Sequence, residues 1–255
     1  MLIPIPDLSS ARRLLCIQPH YDDNDIAAGG TIAALAAADC EIHYLTVADD
    51  VLGVLDPDLS DDEARVRLCS EQREAGDVIG VSSQTRLEYP DAGDWDTMVL
   101  RREVAKHIRR LRPDFLLTVD PWLPYEAHRD HVRVGLAVAE AAILYGLPRL
   151  VTDPEVDAAW REAGPSRLAG VAFCFTARPN VFFDIAKGRD AKHRALEAYG
   201  SQFTPEALGA LHKGLELKER SWGEKAGCEF AEALKVVSTA HLHCNPDAEE
   251  MEEPG

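Results

Sequence analysis

Four short runs, "RLLCIQ" at 13–18, "EIHYLTVAD" at 41–49, "TRLEY" at 85–89 and "FLLTV" at 115–119, are each followed by a stretch of helical character. That alternation constrains the fold more than any other feature. Apolar, β-branched runs of this length read as buried strands. Between the first two, "GGTIAALAAADC" has the Ala and Leu content of a helix, so strand, helix and strand follow one another as a βαβ unit. An amphipathic helix is expected over 61–80, stopped by Gly80, a second over 96–112, stopped by Pro113, and a third over 128–146. The fold class expected is therefore α/β, a Rossmann-like, mostly parallel sheet with helices on both faces. Beyond residue 150 the pattern loosens: strands are expected at 171–177 and 180–185 and helices at 191–203 and 209–227, while "CEFAEALKVVS" fits either. A chain of 255 residues suits one domain, expected over 1–248, with an acidic, frayed tail at 249–255.

Charge narrows the partners. With 44 acidic and 27 basic residues the net charge is -17, which repels phosphate backbones and anionic lipid, so neither nucleic acid nor membrane is expected as a partner. No apolar stretch is long enough to span a bilayer, and the N-terminus lacks the charged start and apolar centre of a secretory signal. A cytoplasmic location and reduced thiols at the six scattered cysteines are the corresponding expectations.

The stretch after the first strand, "QPHYDDNDIAAGGT", sets His20, Asp22 and Asp23 within four positions and ends on Gly29-Gly30. In a parallel α/β sheet such a turn lies at the carboxyl end of a strand, where ligands bind. Like charges about 4 Å apart cost roughly 4 kcal/mol at an effective dielectric near 20, so the carboxylates call for a cation. "HRDH" at 128–131 follows the fourth strand and supplies His128 and His131 on one helical face, with Asp130 available to orient an imidazole. Imidazole and carboxylate together suit Zn²⁺ better than the oxygen-seeking Mg²⁺. Trp95, Trp122 and Tyr125 could stack on a sugar ring or belong to the core. A nucleotide-binding reading fails on the missing G-x-G-x-x-G and on the acidity of the loop.

These residues resemble the PIG-L/LmbE-like zinc-dependent N-deacetylases, which act on N-acetylglucosamine units of thiol precursors, glycolipid anchors and diacetylchitobiose. The family's H-P-D-D-E and Gly-Gly correspond to His20, Asp22, Asp23, Gly29 and Gly30, and its H-x-D-H to His128, Asp130 and His131. "EQREAGDVIGV", "YPD", "SQF" and "GCEFAEALKV" extend the likeness along the chain, while Tyr21 and Asn24 depart from the usual Pro and Glu. The resemblance implies an LmbE-like fold and one Zn²⁺ per chain on His20, Asp23 and His131. It implies Asp22 as general base, with His128, held by Asp130, as proton donor. It implies Asp91 and Arg67 as sugar contacts and a late histidine, His243 or His241, at the pocket. It also implies a homo-oligomer, trimer or hexamer, and an N-acetyl amino sugar as substrate. A larger acyl or conjugate amide, and a sugar- or metal-binding relative without turnover, are the alternative readings.

Overall fold

The computed structural model describes residues 4–248. In chain order its main elements are β1 (Arg13–Gln18), α1 (Asp23–Ala36), β2 (Glu41–Ala48), α2 (Asp61–Ile79), β3 (Ser83–Tyr89), α3 (Thr97–Leu111), β4 (Phe115–Val119) and α4 (Arg129–Leu144). There follow α5 (Pro154–Ala163), β5 (Gly170–Cys174), β6 (Val181–Asp184), α6 (Arg189–Leu196), α7 (Pro205–Ala226) and β7 (Ala231–Val237). The seven strands lie in the order β3-β2-β1-β4-β5-β7-β6. β1 to β5 pair in parallel, and β7 runs antiparallel between β5 and β6. The fold is thus the α/β sheet expected. β1, β4 and β5 read as near-continuous apolar runs because both faces are covered: α1 and α2 pack on one side and α3 and α4 on the other.

Two elements depart from expectation, and one open reading is settled. α1 begins at Asp23 rather than at the Gly-Gly pair, because Asp23 and Asp25 in its first turn favour the positive end of the helix dipole. Gly29 and Gly30 therefore sit inside the helix and do not approach a ligand. A Cβ on Gly30 would fall 2.9 Å from Ile185, and one on Gly29 3.0 Å from Lys192. The pair lets the region of α6 close onto α1. α5, which no reading of the sequence anticipated, is capped by Asp153 and fastened by a buried Arg109–Asp157 ion pair. The ambiguous 228–238 segment resolves as β7, whose edges are paired on both sides.

The last part of the chain grips α1 directly. Buried Glu232 of β7 accepts the backbone N–H groups of Gly30 (3.1 Å) and Thr31 (2.7 Å). Lys192 of α6 donates to Glu232 at 2.6 Å and lies 3.1 Å from Glu219 of α7, all three being buried. Unpaired, each of these charges would be costly in the interior; paired, they fix the position of α1. All six cysteines are free. No helix among the described residues is long and apolar enough to cross a membrane. Residues 249–255, expected as a frayed tail, lie outside those described.

Candidate metal centre

The strand order reverses at β1 and β4: β2 and β3 lie to one side of β1, β5 to the other side of β4. Connections leaving these two strands diverge and open a crevice at their carboxyl ends. His20 stands two residues past β1, Asp50 two past β2 and Asp91 two past β3, while the 128–131 segment follows β4. Four parallel strands thus deliver their side chains to one place. The turn holding His20 is tightly pinned. The Tyr21 carbonyl accepts from Gln18 Nε2 (3.3 Å), Gln72 Nε2 (3.1 Å) and the Tyr199 hydroxyl (2.9 Å), and the Asp23 carboxylate accepts the His20 N–H at 2.9 Å. Tyr21 is buried with its hydroxyl 3.4 Å from Cys69 Sγ. Asn24 is also buried: its N–H donates to Gln18, but neither polar atom of its side chain has a partner.

Within the crevice, ligand atoms of His20, Asp23 and His131 lie within 4.8 Å of one another. His20 Nδ1 is 3.3 Å and His131 Nε2 3.4 Å from the two oxygens of Asp23. The opposite nitrogen of His20 meets Asp91 at 3.3 Å. Asp22 and His128 occupy the N-cap positions of α1 and α4, yet neither side chain caps its helix. Both instead line a cleft of about 270 Å³ with His20, Asp50, Asp91 and Leu52.

The electrostatics call for a cation. Burial opposes a charge on His20, but its bonds to Asp23 and Asp91 carry the imidazole up to about 11. Burial, then the charges of Asp23 and Asp50, push the Asp22 carboxyl well above the usual range. Burial lifts Asp50 to about 7 against the pull of His20. A proton on His20 is here the compensation that a bound cation would otherwise supply. Two imidazole nitrogens and one carboxylate, partly buried and with no lysine or arginine lining the cleft, fit a catalytic zinc site with positions left open.

Several placements differ from expectation. Asp130 does not hold His128: fully buried, it accepts the Ala92 N–H at 2.8 Å and faces His20 Nε2 at 3.9 Å. The carboxylate beside the second histidine is Glu126, 3.5 Å from His131 Nδ1 and accepting the His128 N–H at 2.7 Å. Arg67 is exposed on α2, its guanidinium 3.9 Å from Glu71 and away from the cleft. Two residues earlier, Arg65 clasps Asp49 through Nε (3.0 Å) and Nη2 (2.8 Å), and Asp49 accepts the Asp91 N–H at 3.0 Å. Two positions along α2, about 200° around the helix, separate the expected arginine from the one that reaches Asp49. His243 is exposed beside Cys244. His241 is buried and lines a separate hollow with Trp122, Phe173 and Arg178. Trp95 packs on Tyr89 and under Arg133, and Tyr125 is fully exposed, so neither faces the cleft. Asp50 and Glu126 carry no motif, and only their places just past β2 and just before "HRDH" could have marked them.

The sequence pattern of the PIG-L family, described as GlcNAc-PI de-N-acetylase, matches residues 15–142. The chain is 32% identical over 242 residues to the diacetylchitobiose deacetylase of Thermococcus kodakarensis, covering 94% of this chain and 88% of that one. It is 29% identical over 244 residues to the 1D-myo-inositol 2-acetamido-2-deoxy-alpha-D-glucopyranoside deacetylase of Streptomyces griseus, covering 79% and 73% of the two chains. Among solved structures, N,N'-diacetylchitobiose deacetylase from Pyrococcus horikoshii superimposes with a TM-score of 0.83 at 28% identity, covering 95% and 90%.

Proposed function

The chain belongs to the PIG-L family, the GlcNAc-PI de-N-acetylases, and from that membership we propose how its crevice works. It is a hydrolytic N-deacetylase whose substrate is a small sugar or glycoconjugate containing N-acetylglucosamine, released as acetate and a free amine. The observation that carries the assignment of roles is the meeting of His20, Asp23 and His131 beside an uncapped Asp22.

We assign His20, Asp23 and His131 to one Zn²⁺. When bound, zinc supplies a Lewis acid that acidifies water and polarises the acetamide carbonyl. Asp22 is the general base. Its carboxyl lines the cleft beside the three ligands, in a place from which it can take the proton of a water held there. His128 stands across the cleft, its ring 4.6 Å from that of His20, and is assigned proton donation to the departing amine. Asp91 holds His20 on its far side and has the cleft before it, where a sugar hydroxyl can reach its other oxygen. Asp130 and Glu126 position the imidazoles and the Ala92 backbone. Arg67 and His243 stand outside the cleft and take no part in this assignment. The trimer or hexamer implied by resemblance belongs to the same proposal and is read by sedimentation.

The test is acetate release from N-acetylglucosamine, diacetylchitobiose and an inositol-linked N-acetylglucosamine, with and without a chelator. Release from at least one, lost on chelation and restored by zinc, is expected. Asp22→Asn should keep its zinc and lose about 10²-fold or more in turnover. Full activity in that variant would remove the assigned base.

A further inference from the structure

The hollow that Trp122 shares with Phe173 holds about 430 Å³, against about 270 Å³ for the cleft. It lies at the carboxyl ends of β4 and β5, the same end of the sheet as the metal centre, and two segments of chain serve both spaces. Asp120 and Trp122 begin the connection that runs on to His128: the Glu126 N–H donates to the Leu123 carbonyl at 3.2 Å and the His128 N–H to the Glu126 carboxylate at 2.7 Å. After β5, Phe175 turns the chain with a φ of 52° and sets its ring against His131, centroids 6.3 Å apart, while the next residue, Thr176, lines the hollow. Sites for small molecules ordinarily occupy about 300–1,000 Å³. The cleft alone falls short of that range, and the hollow lies within it.

We propose that the hollow is a subsite for a second sugar ring, so that the substrate is an oligomer whose acetylated ring lies in the cleft and whose neighbouring ring lies on Trp122. The indole is 57% exposed and braced by Phe173, at 70° and 5.4 Å between centroids, so a broad aromatic surface is held in place and open to a ligand. A pyranose has apolar C–H faces and a polar edge. Trp122, Phe173 and Leu242 match the faces, while Asp120, Thr176 and Lys235 bring acceptors and donors to the hydroxyls. An aliphatic aglycone would leave those polar groups against hydrocarbon. A strongly anionic one would meet the Asp120 carboxylate. Contacts to the second ring are the same before and during reaction at the first, so they lower KM and leave kcat unchanged.

The inference rests on the deacetylase reading above and is tested so that the two can fail separately. Acetate release by the full chain, loaded with zinc, is measured on N-acetylglucosamine, diacetylchitobiose and octyl N-acetylglucosaminide. The native chain should show a kcat/KM about tenfold or more higher on the disaccharide than on the monosaccharide. Trp122→Ala should reduce that ratio about 3- to 10-fold, through KM, and Trp122→Phe should restore most of it. Because a chain inactive on the monosaccharide gives no ratio, calorimetry also measures diacetylchitobiose binding to Asp22→Asn with and without Trp122→Ala; the added change should raise Kd about 3- to 10-fold. Equal kcat/KM on mono- and disaccharide, or binding indifferent to Trp122→Ala, overturns the subsite and leaves the deacetylase standing. A Trp122-dependent gain confined to the octyl compound also overturns it, giving the hollow to an apolar aglycone. Absence of acetate from all three compounds overturns the functional reading itself.

Discussion

Replacing Arg65 by Met should loosen the metal centre without touching it. Arg65 places two N–H donors on one oxygen of Asp49, at 3.0 and 2.8 Å; the other oxygen accepts the Asp91 N–H at 3.0 Å, and the Asp91 carboxylate takes His20 Nε2 at 3.3 Å. The Asp49 side chain is 4% exposed and that of Arg65 31%, so water can replace the guanidinium only from one side. Charge-assisted bonds are worth about 1.5–3 kcal/mol each when shielded, and exposed pairs about 0–1 kcal/mol. A value of about 1–2 kcal/mol for this clasp lies between those limits. Loss of a partner that orients a metal-binding histidine weakens affinity about 10- to 100-fold, or roughly 1.4–2.7 kcal/mol. The two ranges overlap at about 1.4–2 kcal/mol, so Arg65→Met should weaken zinc binding about 10- to 30-fold. The assay is competition for zinc against a chromogenic chelator, with circular dichroism to verify the fold. Arg67→Met is the control: its side chain is 54% exposed and its pairing with Glu71 is long, so a change within about twofold is expected. Equal losses in the two variants, or none in Arg65→Met, would refute the relay from Arg65 to His20.

Other outcomes follow from packing and charge. A Cβ on Gly188 would lie 2.0 Å from the Gly30 carbonyl, which no side-chain movement relieves, so Gly188→Ala should cost about 3 kcal/mol or more by urea unfolding. Gly214 in α7 faces open space, and Gly214→Ala should raise stability by about 0.5–1 kcal/mol, with destabilisation contradicting the packing described. Burial, aided by Lys106 and Arg110, lowers His107 from 6.5 to about 4. The unfolded chain takes up this proton first, so the stability it confers is complete above pH 6.5 and is lost as pH falls toward 4. The change is up to about 3 kcal/mol, and His107→Gln should flatten that part of the pH–stability curve. Tyr199→Phe removes bonds to the Tyr21 carbonyl and to Asp25 and should cost about 1–3 kcal/mol, visible as a lower melting temperature.

Much of the fold was legible where one physical signal dominated. β1, β2 and β4 emerge within a residue of their expected bounds because a strand covered on both faces must be apolar throughout. The start of α1 was misplaced because acidic residues there serve the dipole and the site together, and composition alone cannot separate those roles. α5 is hard to read from sequence because ten residues make fewer than three turns; a buried ion pair to α3 holds it, and that contact is distant in sequence. The same holds for the site. His20, Asp22, Asp23, His128 and His131 announce themselves by clustering, whereas Asp49, Asp50 and Glu126 matter only through neighbours that the sheet brings to them.

The family pattern ends at residue 142, yet the helix that starts with Asp23 is held from beyond it, by Lys192, Glu219, Glu232 and Tyr199. The chemistry is thus not a portable cassette. A fragment ending after α4 would retain every candidate ligand and lose the counterweights beneath them, and a chimera joining this front half to a relative's rear half would lose the Glu232 acceptor of the Gly30 and Thr31 N–H groups and the Tyr199 donor to Asp25 unless the relative supplied equivalents. Evolution of new substrates on this scaffold is accordingly channelled to the rims of the cleft, where an exposed residue such as Leu52 can change without disturbing the anchor at the back.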